Sequence, residues 1–215
     1  MSLKMHVFPH SPRAFKVLAV AHHLGIEHEQ VFCDLLNGGA KTPEFTALNP
    51  NQKMPVIEHG GMALWESNAI ICYLAAQKPD AGLVPEDAHD HARMLQWMFW
   101  ESTTWDTSLA ILAFELGIKP LLNLGPSDPA EVEKGERQVR AACAILDKHL
   151  EGRAYMLGDR LTLADFAIGA DLILEDFIPV PFNDYPNLRR WGATLAALPA
   201  WKAALALRPA MAVAA

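Results

Sequence analysis

The chain has 215 residues, 51% hydrophobic and 20% charged, which is enough for one or two domains with a sizeable core and excludes a disordered polymer. A formal charge of −7 argues against nucleic-acid or anionic-membrane partners, which need basic faces. No stretch reads as a transmembrane helix or a signal-peptide core, and three scattered cysteines (Cys33, Cys72, Cys143) without CxxC spacing predict reduced thiols, a cytoplasmic setting and no structural zinc.

Residues 4–8 predict a first strand, with Met5 and Val7 alternating against polar neighbours. Ser11 followed by Pro12 has the chemistry that opens a helix, and that helix runs through Val17, Leu18, Val20, Ala21 and Leu24 to a stop at Gly25. Residues 27–34 predict a second strand, and 35–49 a loop with one helical turn near Phe45. Val56-Ile57 and Met62-Ala63-Leu64-Trp65 flank Gly60-Gly61, a pair that supplies the positive φ angles of a tight hairpin. Ser67 stands where an N-cap is expected for a helix carrying Ile70, Ile71, Tyr73 and Leu74. The free N–H groups at such a helix start suit a carboxylate or phosphate.

Residues 78–87, rich in proline, read as a linker, and no convincing strand follows. Residues 88–118 carry Leu95, Met98, Phe99, Leu109, Leu112 and Leu116 at helical spacing. Phe99 is expected in the core, and Trp97, Trp100 and Trp105 off that face, lining a pocket or an interface. Asp128-Pro129-Ala-Glu131 resembles a capping box, and Asp165 stands three residues after the cap Thr162. Pro179 and Pro181 stop that helix, and a last helical region starts near Tyr185 and carries Trp191 and Trp201. His89 and His91 do not converge on one helix face and give no metal site.

The series Asn-Pro-x-x-Lys-x-Pro-Val over 49–56, a hairpin, and Glu-Ser-x-Ala-Ile-x-x-Tyr-Leu over 66–74 resembles the glutathione-binding half of the glutathione S-transferase family. Thr-Leu-Ala-Asp-Phe at 162–166 and Tyr-Pro-Asn-Leu-x-x-Trp at 185–191 resemble signposts of that family's second domain. The resemblance implies an α/β thioredoxin-like domain (β-α-β, then β-β-α, with a mixed four-stranded sheet) over 1–77. It implies a linker at 78–87 and an all-α helical bundle over 88–215 that contributes the electrophile site. In that family the proline matching Pro55 is cis. Met54 would then pair through its backbone with the cysteinyl part of glutathione, Glu66 and Ser67 would hold the γ-glutamyl end, and Lys53 and Lys41 would lie near the peptide.

Such an enzyme makes a thiolate from a thiol of pKa roughly 8.5, and lowering that by about two units takes roughly 2.7 kcal/mol of preference for the anion. A hydroxyl at a helix N-terminus suits that task. The family uses a tyrosine, serine or cysteine there. The chain has no tyrosine before Tyr73 and no cysteine before Cys33, which leaves Ser11, with His10 as a secondary donor. By residue type alone, the Ser11 oxygen would instead cap its own helix.

Ser-Pro-Arg-Ala-Phe-Lys-Val over 11–17 matches the serine-type theta- and phi-like branch, while Ala40 and Asn51-Gln52 depart from the phi pattern toward a bacterial style. The implied activity is conjugation of the glutathione thiolate to an apolar electrophile, by a homodimer that needs glutathione as substrate and no metal. Peroxide or disulfide reduction at the same site, and glutathione binding without turnover, are the alternatives.

Overall fold

The structure is a computed structural model that describes residues 2–208. The chain divides into two compact units: one holds the residues up to Val84 and takes back the chain from Leu198, and the other spans Pro85 to Ala197.

The first unit is built on a four-stranded mixed sheet in the order β2-β1-β3-β4. Strand β1 (Lys4–Val7) pairs in parallel with β2 (Glu29–Phe32), while β3 (Val56–His59) lies antiparallel to β1 and to β4 (Met62–Trp65). Gly60 and Gly61, at φ 61° and 83°, turn the hairpin as their sequence requires. Met5 and Val7 are fully buried on one face of β1. On the other face His6 meets the ring of Phe45 edge-on at 6.0 Å and bonds Glu58 at 2.7 Å, so α2 (Pro43–Leu48) covers that side.

Helix α1 (Pro12–His23) begins with proline and is buried from Ala14 to Ala21. It ends in a Schellman arrangement: Ile26 N–H reaches the Ala21 carbonyl at 3.0 Å, Gly25 N–H reaches that of His22 at 3.2 Å, and Gly25 takes φ 61°. Helix α3 (Ser67–Ala76) packs beside it.

The second unit opens with α4 (Ala88–Trp100), capped by the Asp87 carboxylate. A π-helical turn (Glu101–Trp105) leads to α5 (Asp106–Leu112), and a second (Ala113–Ile118) to the short α6 (Lys119–Leu121). Then follow α7 (Pro129–His149), α8 (Leu163–Gly169) running on into a 3₁₀ stretch (Ala170–Asp176), and α9 (Pro186–Ala196). The last helix, α10 (Pro199–Ala206), packs on α1, with Trp201 edge-on to Phe15 at 4.9 Å. The expectation that everything from residue 88 onward belongs to the helical unit is therefore corrected. Leu198-Pro199 breaks the last helical region, and its second half buries an aromatic face that α1 offers.

Two further expectations change in this unit. Phe99 is 68% exposed, whereas Trp105 is fully buried and donates from Nε1 to the Ile168 carbonyl at 3.1 Å. Trp105 stands seven residues on from the buried Met98, close to the same helix face, while Phe99 lies one step of about 100° round from it. At the start of α7, Asp128 caps Ala130 N–H at 2.9 Å, but its own N–H goes to the buried Glu115 at 2.7 Å while Glu131 pairs with Lys134. Hydrogen bonds from the Lys119 ammonium and the Asp128 N–H hold the Glu115 carboxyl below the usual carboxylate range. The capping box read there is half formed because a long-range carboxylate takes the second donor.

Burial pushes down the pKa of His22, His23 and His149 and so ties stability to pH. His22 Nε2 is buried and meets no hydrogen-bond partner among the described residues, and the His28 ring stands 5.7 Å away. Burial, and then the charge on His28, push the His22 pKa down. Burial does the same to His149, against an opposing pull from the Met156 carbonyl. Both rings are thus neutral in the fold over a range where the unfolded chain, with pKa about 6.5, already takes up protons. Their contribution is complete above that value and is lost as pH falls through the lowered folded values. The urea midpoint is expected to be lower at about pH 5.5 than at about pH 7.5, where carboxylates hardly titrate, and the gap to shrink in a His22→Gln/His149→Gln double variant. Equal midpoints in the wild type would remove this linkage.

Candidate functional site

Register alone gathers the predicted residues. Val7 pairs with Phe32, His6 with Val56, and Val56 with Trp65. The C-terminal ends of β1, β2 and β4 and the N-terminal end of β3 therefore share one end of the sheet. From that end leave the loop to Ser11, the loop to Lys41, the segment Lys53-Met54-Pro55, and the step from Trp65 to Glu66 and Ser67.

Ser11 has extended backbone at the start of α1, and its carbonyl accepts the first helical bond from Phe15 at 2.8 Å, but its hydroxyl makes no capping bond. The structure thus leaves the hydroxyl of a half-buried serine available beside the N–H end of a twelve-residue helix. His10 lies with its ring 5.4 Å from Phe8, which also meets Phe32 at 5.8 Å.

The Met54–Pro55 peptide is cis, and Met54 and Pro55 are buried while Lys53 is exposed. Asn49 fixes this loop: 98% buried, it donates from Nδ2 to the Lys53 carbonyl at 2.6 Å and accepts from Asn51 N–H at 3.0 Å. The motif over 49–56 includes Asn49 before Pro50, but gives it no role, because its burial and its bond to the Lys53 carbonyl are not visible in a local pattern.

Lys41 is exposed at the end of a 3₁₀ turn (Gly39–Lys41). A Cβ on Gly39 would stand 2.8 Å from the Asp34 backbone, so this loop closes on itself only with glycine there. Asp34 accepts from Leu36 and Asn37 N–H at 3.1 and 3.2 Å, and the Asn37 amide foremost holds its carboxyl below the usual range.

Glu66, not Ser67, is the N-cap of α3, and Ser67 is its first, buried residue. The reason is backbone: Glu66 sits at φ 70°, ψ 109°, outside even the left-handed helical well, and its side chain makes no capping bond. Such a residue costs of order 1–3 kcal/mol and marks a place where something other than stability is selected. Replacing Glu66 by glycine removes the clash and loses no cap, against about 1 kcal/mol of added chain entropy. The variant is expected to melt roughly 2–4 °C higher, for about 1 kcal/mol of net gain, while losing affinity for any ligand held by the Glu66 carboxylate. A melting point at or below that of the wild type would mean that the backbone is not strained.

The thiols offer no rival chemistry. Cys33 and Cys143 are buried and Cys72 half-buried, and burial pushes the Cys143 thiol up to about 12. In the second unit the carboxylates of Glu101, Asp106 and Asp171, all buried, bring oxygens within 4.8 Å of one another. The sequence gives no hint of this group, whose members lie on different elements.

The family models "Glutathione S-transferase, N-terminal domain" and "Glutathione S-transferase, C-terminal domain" match residues 1–76 and 105–199. A glutathione S-transferase of Hyoscyamus muticus is 31% identical over 209 residues, covering 95% of this chain and 98% of its own. The chain belongs to the glutathione S-transferase family. Glutathione S-transferase 3 of Zea mays is 32% identical over 212 residues, with 96% and 95% covered. Among solved structures, the theta class glutathione S-transferase of Xanthomonas axonopodis pv. citri with glutathione bound superposes at a TM-score of 0.86, with 28% identity over 94% of this chain and 96% of that one. The family's two-domain fold, with its thioredoxin-like sheet and helical second part, is the architecture described above.

Proposed function

We propose that this chain is a glutathione transferase that binds glutathione on the first unit and transfers its sulfur to an apolar electrophile. The observation that carries the reading is the uncommitted Ser11 hydroxyl at the start of α1, on the same sheet end as Met54-Pro55 and Glu66-Ser67. The Glu66 carboxylate suits the glutathione amine, and the N–H end of α3 at Ser67 suits the γ-glutamyl carboxylate. The Met54 backbone pairs with the cysteinyl residue, and Lys53 and Lys41 attract the glycine carboxylate. Ser11 O–H then donates to the sulfur and favours its anion. The thiol proton passes to solvent, and the thiolate forms a C–S bond to the electrophilic carbon as that carbon's leaving group, or its π electron pair, departs.

The same reading expects a cytoplasmic homodimer. The described residues contain no helix long and apolar enough to cross a membrane.

The test is the ultraviolet thiolate band of glutathione mixed with the protein at neutral pH. A saturable band and turnover of an aryl halide are expected. Saturable binding without a thiolate band would favour a glutathione-binding protein without turnover, and no binding would overturn the reading.

A further inference from the structure

The second unit carries an open pocket of about 320 Å³ that none of the predicted site residues lines. One wall is α4, through Asp90, Arg93 and Trp97; the other is the end of α7 and the loop after it, through His149 and Arg153. The Trp97 and His149 rings meet at 4.4 Å. His149 Nε2 bonds the Met156 carbonyl at 2.7 Å, which puts the proton of the neutral ring on that nitrogen. Nδ1 is left with no partner among the described residues. The charges around the pocket do not cancel. Asp90 is the one carboxylate among the described residues lining it, and Arg93 and Arg160 each stand 4.0 Å from that group, too far for a hydrogen bond. The Arg153 guanidinium meets no carboxylate among the described residues. A cation after a helix ordinarily serves the carbonyls there, but Arg190 already holds those of Leu150 and Arg153, at 2.6 and 2.8 Å. Lys148 and Glu151, at the same helix end, pair with each other at 2.6 Å. In a chain of charge −7, Arg93, Arg153 and Arg160 around one acid reverse the local sign.

We propose that this pocket binds a phosphate monoester whose other end is a flat ring. The Trp97–His149 wall offers the ring an apolar face. Arg93 and Arg153 take the phosphate oxygens, whose spacing planar guanidinium groups match. A monoester carries close to two negative charges at neutral pH, which suits several arginines around one acid better than the single charge of a carboxylate does. His149 supplies a further donor. Burial first, and then the Arg153 charge, hold its pKa down against the pull of the Met156 carbonyl. A dianion beside the ring reverses that balance, so Nδ1 takes up a proton as the ligand binds. The site stands on the second unit alone and is independent of the glutathione reading.

The experiment is calorimetry on the full chain at about pH 7, where a phosphate monoester is mostly dianionic. It compares phenyl phosphate, inorganic phosphate and benzoate for the wild type, Arg153→Gln, Trp97→Leu and His149→Gln. Phenyl phosphate is expected to bind about tenfold or more tightly than either other probe, and saturating glutathione should leave that binding unchanged. Arg153→Gln should weaken both phosphates by about tenfold, whereas Trp97→Leu should weaken phenyl phosphate and spare inorganic phosphate. Titrations in buffers of different ionisation enthalpy should show proton uptake in the wild type that His149→Gln loses. Arg153 is exposed, so its variant decides the matter even if Trp97→Leu does not fold. Phenyl phosphate that fails to bind, or that binds Arg153→Gln as it binds the wild type, overturns the proposal. Benzoate binding as tightly as phenyl phosphate would overturn the phosphate assignment, and displacement by glutathione would place the ligand on the first unit and overturn the site.

Discussion

Ser11→Ala is expected to lower kcat/KM for the electrophile at saturating glutathione by about fiftyfold at pH 6.5, with the loss fading as pH rises. If the bound thiol lies about two units below its free value of roughly 8.5, about half of it is ionised at pH 6.5 in the wild type and about one per cent in the variant. Above about pH 9 both are ionised and the two rates converge. The magnitude approaches the loss of one oriented donor to a developing anion, about 10²–10³-fold. The structural premise is that the hydroxyl caps nothing, so its removal leaves α1 intact and the melting point should hold. A pH–rate profile that does not shift would hand the role to the N–H groups of α1 or to His10. A fall in stability of about 1 kcal/mol would restore Ser11 to a capping role.

Asp165→Ala is expected to cost about 4 kcal/mol of stability. The carboxylate is fully buried and accepts from Met156 N–H at 2.7 Å, Thr162 N–H at 2.9 Å, Thr162 Oγ1 at 3.2 Å and Trp191 Nε1 at 3.0 Å. Burial pushes its pKa up while the four donors pull it down, and a ring of donors offers a carboxyl proton nothing to bond. Removing the acceptor strands buried donors at about 1–3 kcal/mol each, and they are not additive. The melting point should fall by roughly 8–16 °C, at about 2–4 °C per kcal/mol for a chain of this size. Asp165→Asn keeps one acceptor oxygen and should lose about half as much. A fall in stability below about 1 kcal/mol for the alanine variant would mean that water or a neighbour replaces the carboxylate.

The same residue shows how much the sequence revealed. A threonine followed by an acid at the third helical position predicts a local cap, and the capping box is present. The longer reach to Met156 and Trp191 is invisible in a local pattern, because it depends on α9 lying alongside. Local chemistry was legible wherever one residue type has one use: Gly60-Gly61 in the hairpin, Pro12 at a helix start, Gly25 at its end. Legibility failed where the backbone left its usual wells. Glu66 gives no sign of its positive φ, so the start of α3 was read one residue late. Phe99 and Trp105 exchanged their expected places for another reason: Trp105 stands seven residues on from the buried Met98 and shares its face, which Phe99 does not. Of the candidate site, the motif marked the loops, while the role of Asn49 became visible only through the groups it bonds.

The return of α10 to α1 has a consequence for synthesis. The first unit is interrupted at Val84 and regains its last helix at Pro199, so the second unit is an insertion within it. A ribosome making the chain from its N-terminus releases a sheet and helices whose Phe15 face has no Trp201 to meet until more than a hundred further residues have emerged (from Val84 to Leu198). At about 5–20 residues per second, that interval lasts several seconds to roughly twenty. During it the nascent chain carries an uncovered aromatic patch of the kind that chaperones recognise.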